Sequence, residues 1–242
     1  RGEEITLAGG KTAWSARQHH DWQRDDFPAG YYSPESQPAL QGRTTLILSH
    51  ADRMQSKVAD VMLGDDRLIE VDASGQIVWE WLAGDHIDEL GFAPDARAVI
   101  KTASAFNKAR GSYDWLHVNS ATYVGPNQWY DKGDARFAPN HVIISSREAS
   151  LLAIVARDGS VVWRMGPDFS ESPELRAIRQ IIGPHHPHLI PKGLPGRGNL
   201  LVFDNGGSSG YGFASPIAPQ GRGAFQRAGS RVLEIDPVTL RL

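Results

Sequence analysis

The chain has 242 residues, 40% hydrophobic and 22% charged, enough for a substantial core and ordinary for a globular domain. A net charge of −3 supplies no basic footprint, so no nucleic-acid partner is expected. No run approaches the roughly 18 apolar residues that cross a bilayer, so no membrane partner is expected, and with no cysteine there is neither disulfide nor thiolate chemistry.

Residues 1–16 form a weakly patterned lead-in. QHHDW (Gln18 to Trp22), TTLILSH (Thr44 to His50), DRLIEVDASG (Asp66 to Gly75) and QIVWEW (Gln76 to Trp81) follow. Short Val-, Ile- and Trp-rich segments divided by turn residues predict a four-stranded antiparallel meander. Between its first two strands, Arg24 to Arg43 is rich in Pro, Gly and Ser and reads as a loop. One helix is expected after Pro94 in the segment Asp85 to Ser112.

The cleanest copy of the same unit runs from Asp114 to Gly166: DWLHVNSATYV, HVIISSRE, SLLAIVARDG and SVVWRMG. SPELRAIRQII (Ser172 to Ile182) predicts a helix with Ser172 as N-cap, Pro173 at its first position and Glu174 in its first turn. HHPHLIP (His185 to Pro191), GNLLVFDNGG (Gly198 to Gly207) and SRVLEIDP (Ser230 to Pro237) begin a third copy, interrupted by a Gly- and Pro-rich loop at Gly206 to Gly223.

Aligning Trp79 with Trp163 superposes the turns Asp72 to Gly75 and Ala156 to Gly159. A repeat of this length predicts an all-β chain, a β-propeller of four-stranded antiparallel blades. The divisions are a blade at 17–82, a linker at 83–112, a blade at 113–166, a linker at 167–183 and a partial blade at 184–242. Three blades do not close a ring of about four to eight. With a chain that starts at Arg1 and stops at Leu242, the expectation is a missing remainder of the propeller, or completion by a second copy as a homo-oligomer.

Most of the nine histidines fall on opening strands: His19 and His20, then His117, then His185, His186 and His188. In a propeller the opening strand is innermost, so these rings converge on one channel. Alternation places Trp115, His117 and Asn119 on one face. Arg147 and the pair Asp204 and Asn205 lie at matching places on second strands, and His86 follows the first closing strand, within reach of the mouth. His50 and His141 read as hydrogen-bonded structural residues, Arg147 as paired with an acidic neighbour or with an anion, and Asp204-Asn205-Gly206 as turn chemistry. Trp79, Trp81 and Trp163 read as packing between blades. No GxxxxGK[ST] loop is present and no GxGxxG follows a strand in a βαβ setting, so no nucleotide cofactor is expected.

His19 to Tyr32, Asp114 to Asp134, Ser145 to Val155, Val161 to Pro167 and His185 to Gly207 together resemble the bacterial arylsulfotransferase family, enzymes that work without a nucleotide sulfate donor. The resemblance runs from about Trp14 to Leu242, and the block at His185 to Gly207 is its most specific part. It implies a six-bladed propeller with the site in its central channel and a histidine that accepts the sulfuryl group transiently. It also implies a small phenolic sulfate donor, a phenol acceptor, no cofactor, and a periplasmic or secreted location. Carried over residue by residue, it points to His185 as the nucleophile, with His20, His117, Asn119 and Arg147 as further channel residues. Relatives carry one His followed by Asp where this chain has HHPH, so the register among His185, His186 and His188 stays open.

These residue types suit the chemistry. Sulfuryl transfer, like phosphoryl transfer, passes through a loose in-line transition state, and the protein chiefly positions groups and stabilises charge. Arg147 and Asn119 supply donors to sulfuryl oxygens. A neutral imidazole attacks, its pKa of about 6.5 lowered by neighbouring cations, and His117 or His20 moves the phenol proton in a ping-pong sequence. Tyr31, Tyr32, Trp129 and Tyr211 are candidates for stacking on a phenolic ring. Two rival readings use the same residues: a metal-dependent lyase or hydrolase of anionic polysaccharide with His186 and His188 as ligands, and a non-catalytic binding propeller.

Overall fold

Turn chemistry and β-branched runs together produce three successive antiparallel sheets. The computed structural model describes residues 3–6, 9–10, 12–15, 17–24, 43–103, 112–211 and 222–242. After a short hairpin of β1 (Glu3–Thr6) and β2 (Thr12–Ser15), the first sheet is the meander β3 (Gln18–Arg24), β4 (Thr45–Gln55), β5 (Ala59–Val71) and β6 (Ile77–Leu82). The second is β7 (Val118–Tyr123), β8 (Val142–Ser146), β9 (Leu151–Val155) and β10 (Val161–Met165). The third pairs β11 (Pro184–Leu189) with β12 (Leu200–Asp204), and a separate hairpin of β13 (Gly207–Tyr211) and β14 (Arg222–Arg227) intervenes before β15 (Arg231–Ile235) completes it. The chain is therefore all-β, as its patterning predicts.

The repeat is visible in individual hydrogen bonds. In the first sheet Asp72 N–H donates to Gln76 O and Gly75 N–H to Asp72 O, at 2.9 and 3.0 Å. In the second, Ala156 N–H donates to Ser160 O and Gly159 N–H to Ala156 O, at the same two distances. Gly75 and Gly159 take φ of 85° and 93°, a left-handed corner that favours glycine.

Helices fill the connections. Helix α1 (Pro94–Ala103) starts at the expected proline, α2 (Gln128–Asp131) is a single turn capped by Asn127, and α3 (Pro173–Ile178) is capped by Ser172 Oγ, which accepts from Leu175 N–H at 3.1 Å. Helix α3 is shorter than its apolar pattern suggests, because Arg179 takes a left-handed φ of 65° and ends it. Two further differences concern strands. The β4 to β5 ladder runs on to Gln55 opposite Ala59, through a mixed polar and apolar stretch with no strong pattern of its own. Strands β13 and β14 form at both ends of the stretch expected to be loop, whose residues 212–221, like the insertion at 25–42, lie outside the described residues.

The second sheet lies between the other two. Every residue of β7, β8 and β9 is buried, and neighbouring side chains face opposite ways. Val142 and Ile144 pack with Leu46, Leu48 and Leu68 of the first sheet, while Ile143, Leu152 and Ile154 pack with Leu200, Val202 and Leu233 of the third. Burial on both faces explains why β9, LLAIV, reads as a continuous apolar run.

Indole N–H groups fasten sheet to sheet. Trp79 donates to Arg157 O at 3.0 Å, and its repeat equivalent Trp163 donates to Pro237 O at 2.9 Å. Trp81 adds a bond to Gly159 O at 3.0 Å. Beside them the Arg157 guanidinium grips the buried carboxylate of Glu70 with two nitrogens, and Tyr123 Oη donates to Glu70 Oε1 at 2.8 Å. Glu70→Ala strands Arg157 and Tyr123 together and is expected to cost about 3–5 kcal/mol. Tyr123→Phe removes one bond and is expected to cost about 1 kcal/mol. Urea unfolding of both variants checks the ranking, and equal losses would show that Glu70 is not the centre of this junction.

Candidate active site where the opening strands meet

The first strands of the three sheets lie side by side, held by side chains that bond to the neighbouring backbone. Asp21 Oδ2 on β3 accepts from Ala121 N–H on β7 at 2.9 Å, and Gln23 Oε1 accepts from Tyr123 N–H at 2.7 Å. From β7 towards β11, Asn119 Nδ2 donates to Pro184 O at 2.9 Å, and Asn119 Oδ1 accepts from Ser145 Oγ at 2.6 Å. Asn119 thus aligns the third opening strand.

Each opening strand is interrupted at a histidine. His20, His117 and His186 take φ of 52°, 51° and 50°. That left-handed region costs an L-residue roughly 1–2 kcal/mol, and each residue lies in or next to a break in strand register: Gln18 to Trp22, Val118 to Ser120 and His185 to His188. The break ends strict alternation, so the expectation that Trp115, His117 and Asn119 share a face does not hold. Trp115 is fully buried and bonds Asp65, whereas the His117 ring turns to His20 with centroids 4.9 Å apart.

A polar cluster surrounds this pair. His19 Nδ1 lies 2.9 Å from His20 Nδ1, the His19 ring stacks on His50 at 3.8 Å, and both His19 Nε2 and His50 Nε2 face Asp66 Oδ1, at 3.4 and 3.5 Å. His117 Nδ1 bonds Asp114 Oδ2 at 2.5 Å. Asp66 has no solvent exposure, and its Oδ2 accepts from Val118 N–H at 2.9 Å. Its neighbour Asp65 points the other way, to Trp115 Nε1 and Gly84 N–H, and burial pushes its carboxyl up to about 6.

The imidazoles titrate differently. The bond to Asp114 raises the His117 pKa despite burial. For His50, burial acts downward, but Asp66, Asp114 and Asp52 carry the pKa above its ordinary value. His20 is lowered, by partial burial and by the neighbouring His117 and His19. Burial opposes ionisation of Asp66, yet His19 and His50 hold it below the usual carboxylate range.

The remaining predicted residues are placed as follows. His185 Nδ1 donates to Gly183 O at 2.9 Å, which places the ring's lone pair on Nε2. His186 and His188 have ring centroids 4.9 Å apart, and His188 Nδ1 bonds His186 O at 3.1 Å. Arg147 Nη1 bonds Glu148 Oε1 at 2.5 Å and its chain packs near Gly183, beside the segment leading to His185. His86 is set apart, stacked on Trp81 at 5.2 Å and bonded to Glu89, against the turn at Gly159. His141 bonds Arg136 O, as a structural histidine would. The Trp129 indole donates to Gly198 O and Tyr211 Oη to Trp115 O, so both polar ends serve the fold, while Tyr31 and Tyr32 lie outside the described residues.

Sequence reading assigned no site role to His50, Asp66 or Asp114. A usable signal existed for His50: with the third-strand turns superposed, it takes the place that Arg147 takes in the second copy, one residue after Ser49 or Ser146. Asp66 then follows as its direct partner across the β4 to β5 ladder.

The chain is all-β, and its adjacent opening strands bring imidazoles next to the buried carboxylate of Asp66. The family model described as Arylsulfotransferase (ASST) matches residues 20–222, and the chain belongs to that family, whose reaction is sulfuryl transfer from aryl sulfates. No curated protein matches the chain.

Two outcomes test this geometry. Glycine normally weakens a strand by about 0.5–1 kcal/mol relative to alanine. At His20 the order is expected to reverse, His20→Gly being more stable than His20→Ala by about 1 kcal/mol in urea unfolding, because alanine is strained at this φ. Burial lowers the pKa of His188, outweighing the opposing effect of its Nδ1 bond to His186 O, so the folded state binds fewer protons there than the unfolded chain. Its contribution to stability is therefore intact above about pH 6.5 and lost as pH falls through that value. His188→Gln is expected to lose less stability than the parent between about pH 7.5 and about pH 5.5, and an identical loss would contradict the assignment.

Proposed function

We propose that this chain transfers a sulfuryl group from a phenolic sulfate to a phenol by a ping-pong sequence through an N-sulfohistidine, with the three sheets acting as blades of a propeller around the site. The observation that carries the reading is the recurrence of a left-handed histidine in all three adjacent opening strands. Strain of this kind, repeated where strands meet, marks a functional site more than a folding need.

His186 is the proposed nucleophile. It is the left-handed histidine of the third opening strand, with its ring 4.9 Å from that of His188. His185, which the family resemblance favours, is the neighbouring candidate and the natural control. An imidazole nitrogen attacks sulfur, the sulfur to aryl-oxygen bond breaks in line, and the departing phenolate takes a proton. His117 is the proposed source, since its bond to Asp114 raises its pKa above the ordinary value and so favours the protonated ring. An acceptor phenol then returns a proton to His117 as its oxygen attacks the sulfohistidine, which restores the enzyme. Arg147 supplies positive charge to the sulfuryl oxygens, and Asn119 acts by aligning β11 through Pro184 O.

Incubating the protein with an aryl sulfate, quenching, and weighing it intact should reveal one added sulfuryl group, retained in His185→Ala and absent in His186→Ala. Adduct retained in His186→Ala and lost in His185→Ala moves the nucleophile by one residue; no adduct in the parent defeats the mechanism. His117→Gln is expected to slow turnover by about 10²–10⁴ for phenols that are poor leaving groups and much less for acidic ones. With His117 as acid, turnover should fall as pH rises through its elevated pKa, and a rate indifferent to both leaving group and pH would remove it from this role.

A further inference from the structure

We propose that His19 Nε2, His50 Nε2 and Asp66 Oδ1 form a binding site for one divalent transition metal of the zinc class. All three atoms are shut off from solvent, and none has a hydrogen-bond partner. A buried polar atom left unpaired costs about 1–3 kcal/mol, so three converging on one point call for a common partner. The two nitrogens stand 3.4 and 3.5 Å from the carboxylate oxygen, and the three atoms lie within 4.8 Å of one another. These separations exceed a hydrogen bond of about 2.7–3.2 Å. The two nitrogen-to-oxygen separations are close to the roughly 3.3–3.4 Å between ligands held about 2.0–2.1 Å from a tetrahedral zinc.

The surroundings support the same assignment. His50 and Asp66 sit directly opposite each other on β4 and β5, so the ladder itself sets their spacing. Asp66 Oδ2 is fixed by Val118 N–H, and His19 Nδ1 lies 2.9 Å from His20 Nδ1, an outer contact of the type that orients metal ligands. Two neutral imidazoles and one carboxylate leave a divalent ion with one net positive charge, and two nitrogens with one oxygen is a donor set that suits zinc.

The site has a consequence for its neighbour. A metal on His19 Nε2 requires the proton of that ring to sit on Nδ1, where it donates to His20 Nδ1. His20 then carries its own proton on Nε2. The ion is one imidazole removed from the reacting groups and acts as a positioning element for His20, whether or not His186 forms a sulfohistidine.

The test uses cobalt(II) added to the metal-stripped full chain, with titration of its visible ligand-field bands and a count of bound metal after gel filtration. One cobalt per chain is expected, displaced by zinc, with affinity reduced more than about 100-fold in His50→Ala, since even outer partners are worth about 10–100-fold. Thermal unfolding supplies the second readout: zinc should raise the midpoint of the parent but not of His50→Ala, whose circular dichroism reports whether it has folded. If Asp66→Asn does not fold, His19→Gln replaces it as the second ligand variant. No cobalt bands in the folded parent, or bands and zinc response unchanged in folded His50→Ala and His19→Gln, would overturn the site. Neither readout involves sulfuryl transfer, so failure here and failure of the proposed mechanism are told apart.

Discussion

A strand that admits a residue at positive φ cannot keep both its ladder and its alternation, and in this protein three adjacent strands do so at histidines. His20 and His186 stand within breaks of register and His117 just before one, and the rings of His20 and His117 meet each other outside the packed layers. A strand regular through His117 would put its ring on the face of Trp115 and Asn119, opposite Leu116 and Val118. Instead the apolar neighbours stay buried while His117 meets His20. Strain of roughly 1–2 kcal/mol per residue is small beside the packing on both faces of the second sheet, which is why the fold tolerates it.

Buried charge is handled in the same economical way. Asp66 is enclosed, which by itself would favour the neutral acid, yet two imidazoles face it and a backbone N–H fixes its other oxygen. Asp65, one residue away, faces an indole and a glycine N–H instead, and its carboxyl is pushed up to about 6. Alternation along β5 sends one carboxylate to the histidines and the other to the structural core, although the two are chemically identical.

The junctions between sheets were legible because they repeat. Trp79 and Trp163 share a place in the pattern and make equivalent bonds to Arg157 O and Pro237 O. The strands of all three sheets, the start of α1 and the cap of α3 were likewise local decisions written in local sequence. The extension of the β4 to β5 ladder and the hairpin of β13 and β14 were not, since Ala51 to Asp65 lacks clear periodicity and Gly207 to Tyr211 is dominated by glycine and serine. There, pairing with a neighbouring strand supplies what intrinsic preference withholds.

The sequence by itself determined an all-β chain of repeated antiparallel sheets and the grouping of histidines on opening strands, because side-chain period and turn residues act over a few positions. Only the tertiary structure decided which rings meet. It brought His50 and Asp66 beside His19 and gave Asn119 to Pro184 O, because those outcomes depend on register and on contacts between strands as far as 65 residues apart in the chain. No short-range pattern encodes distances of that kind; they follow from how one sheet lies against the next.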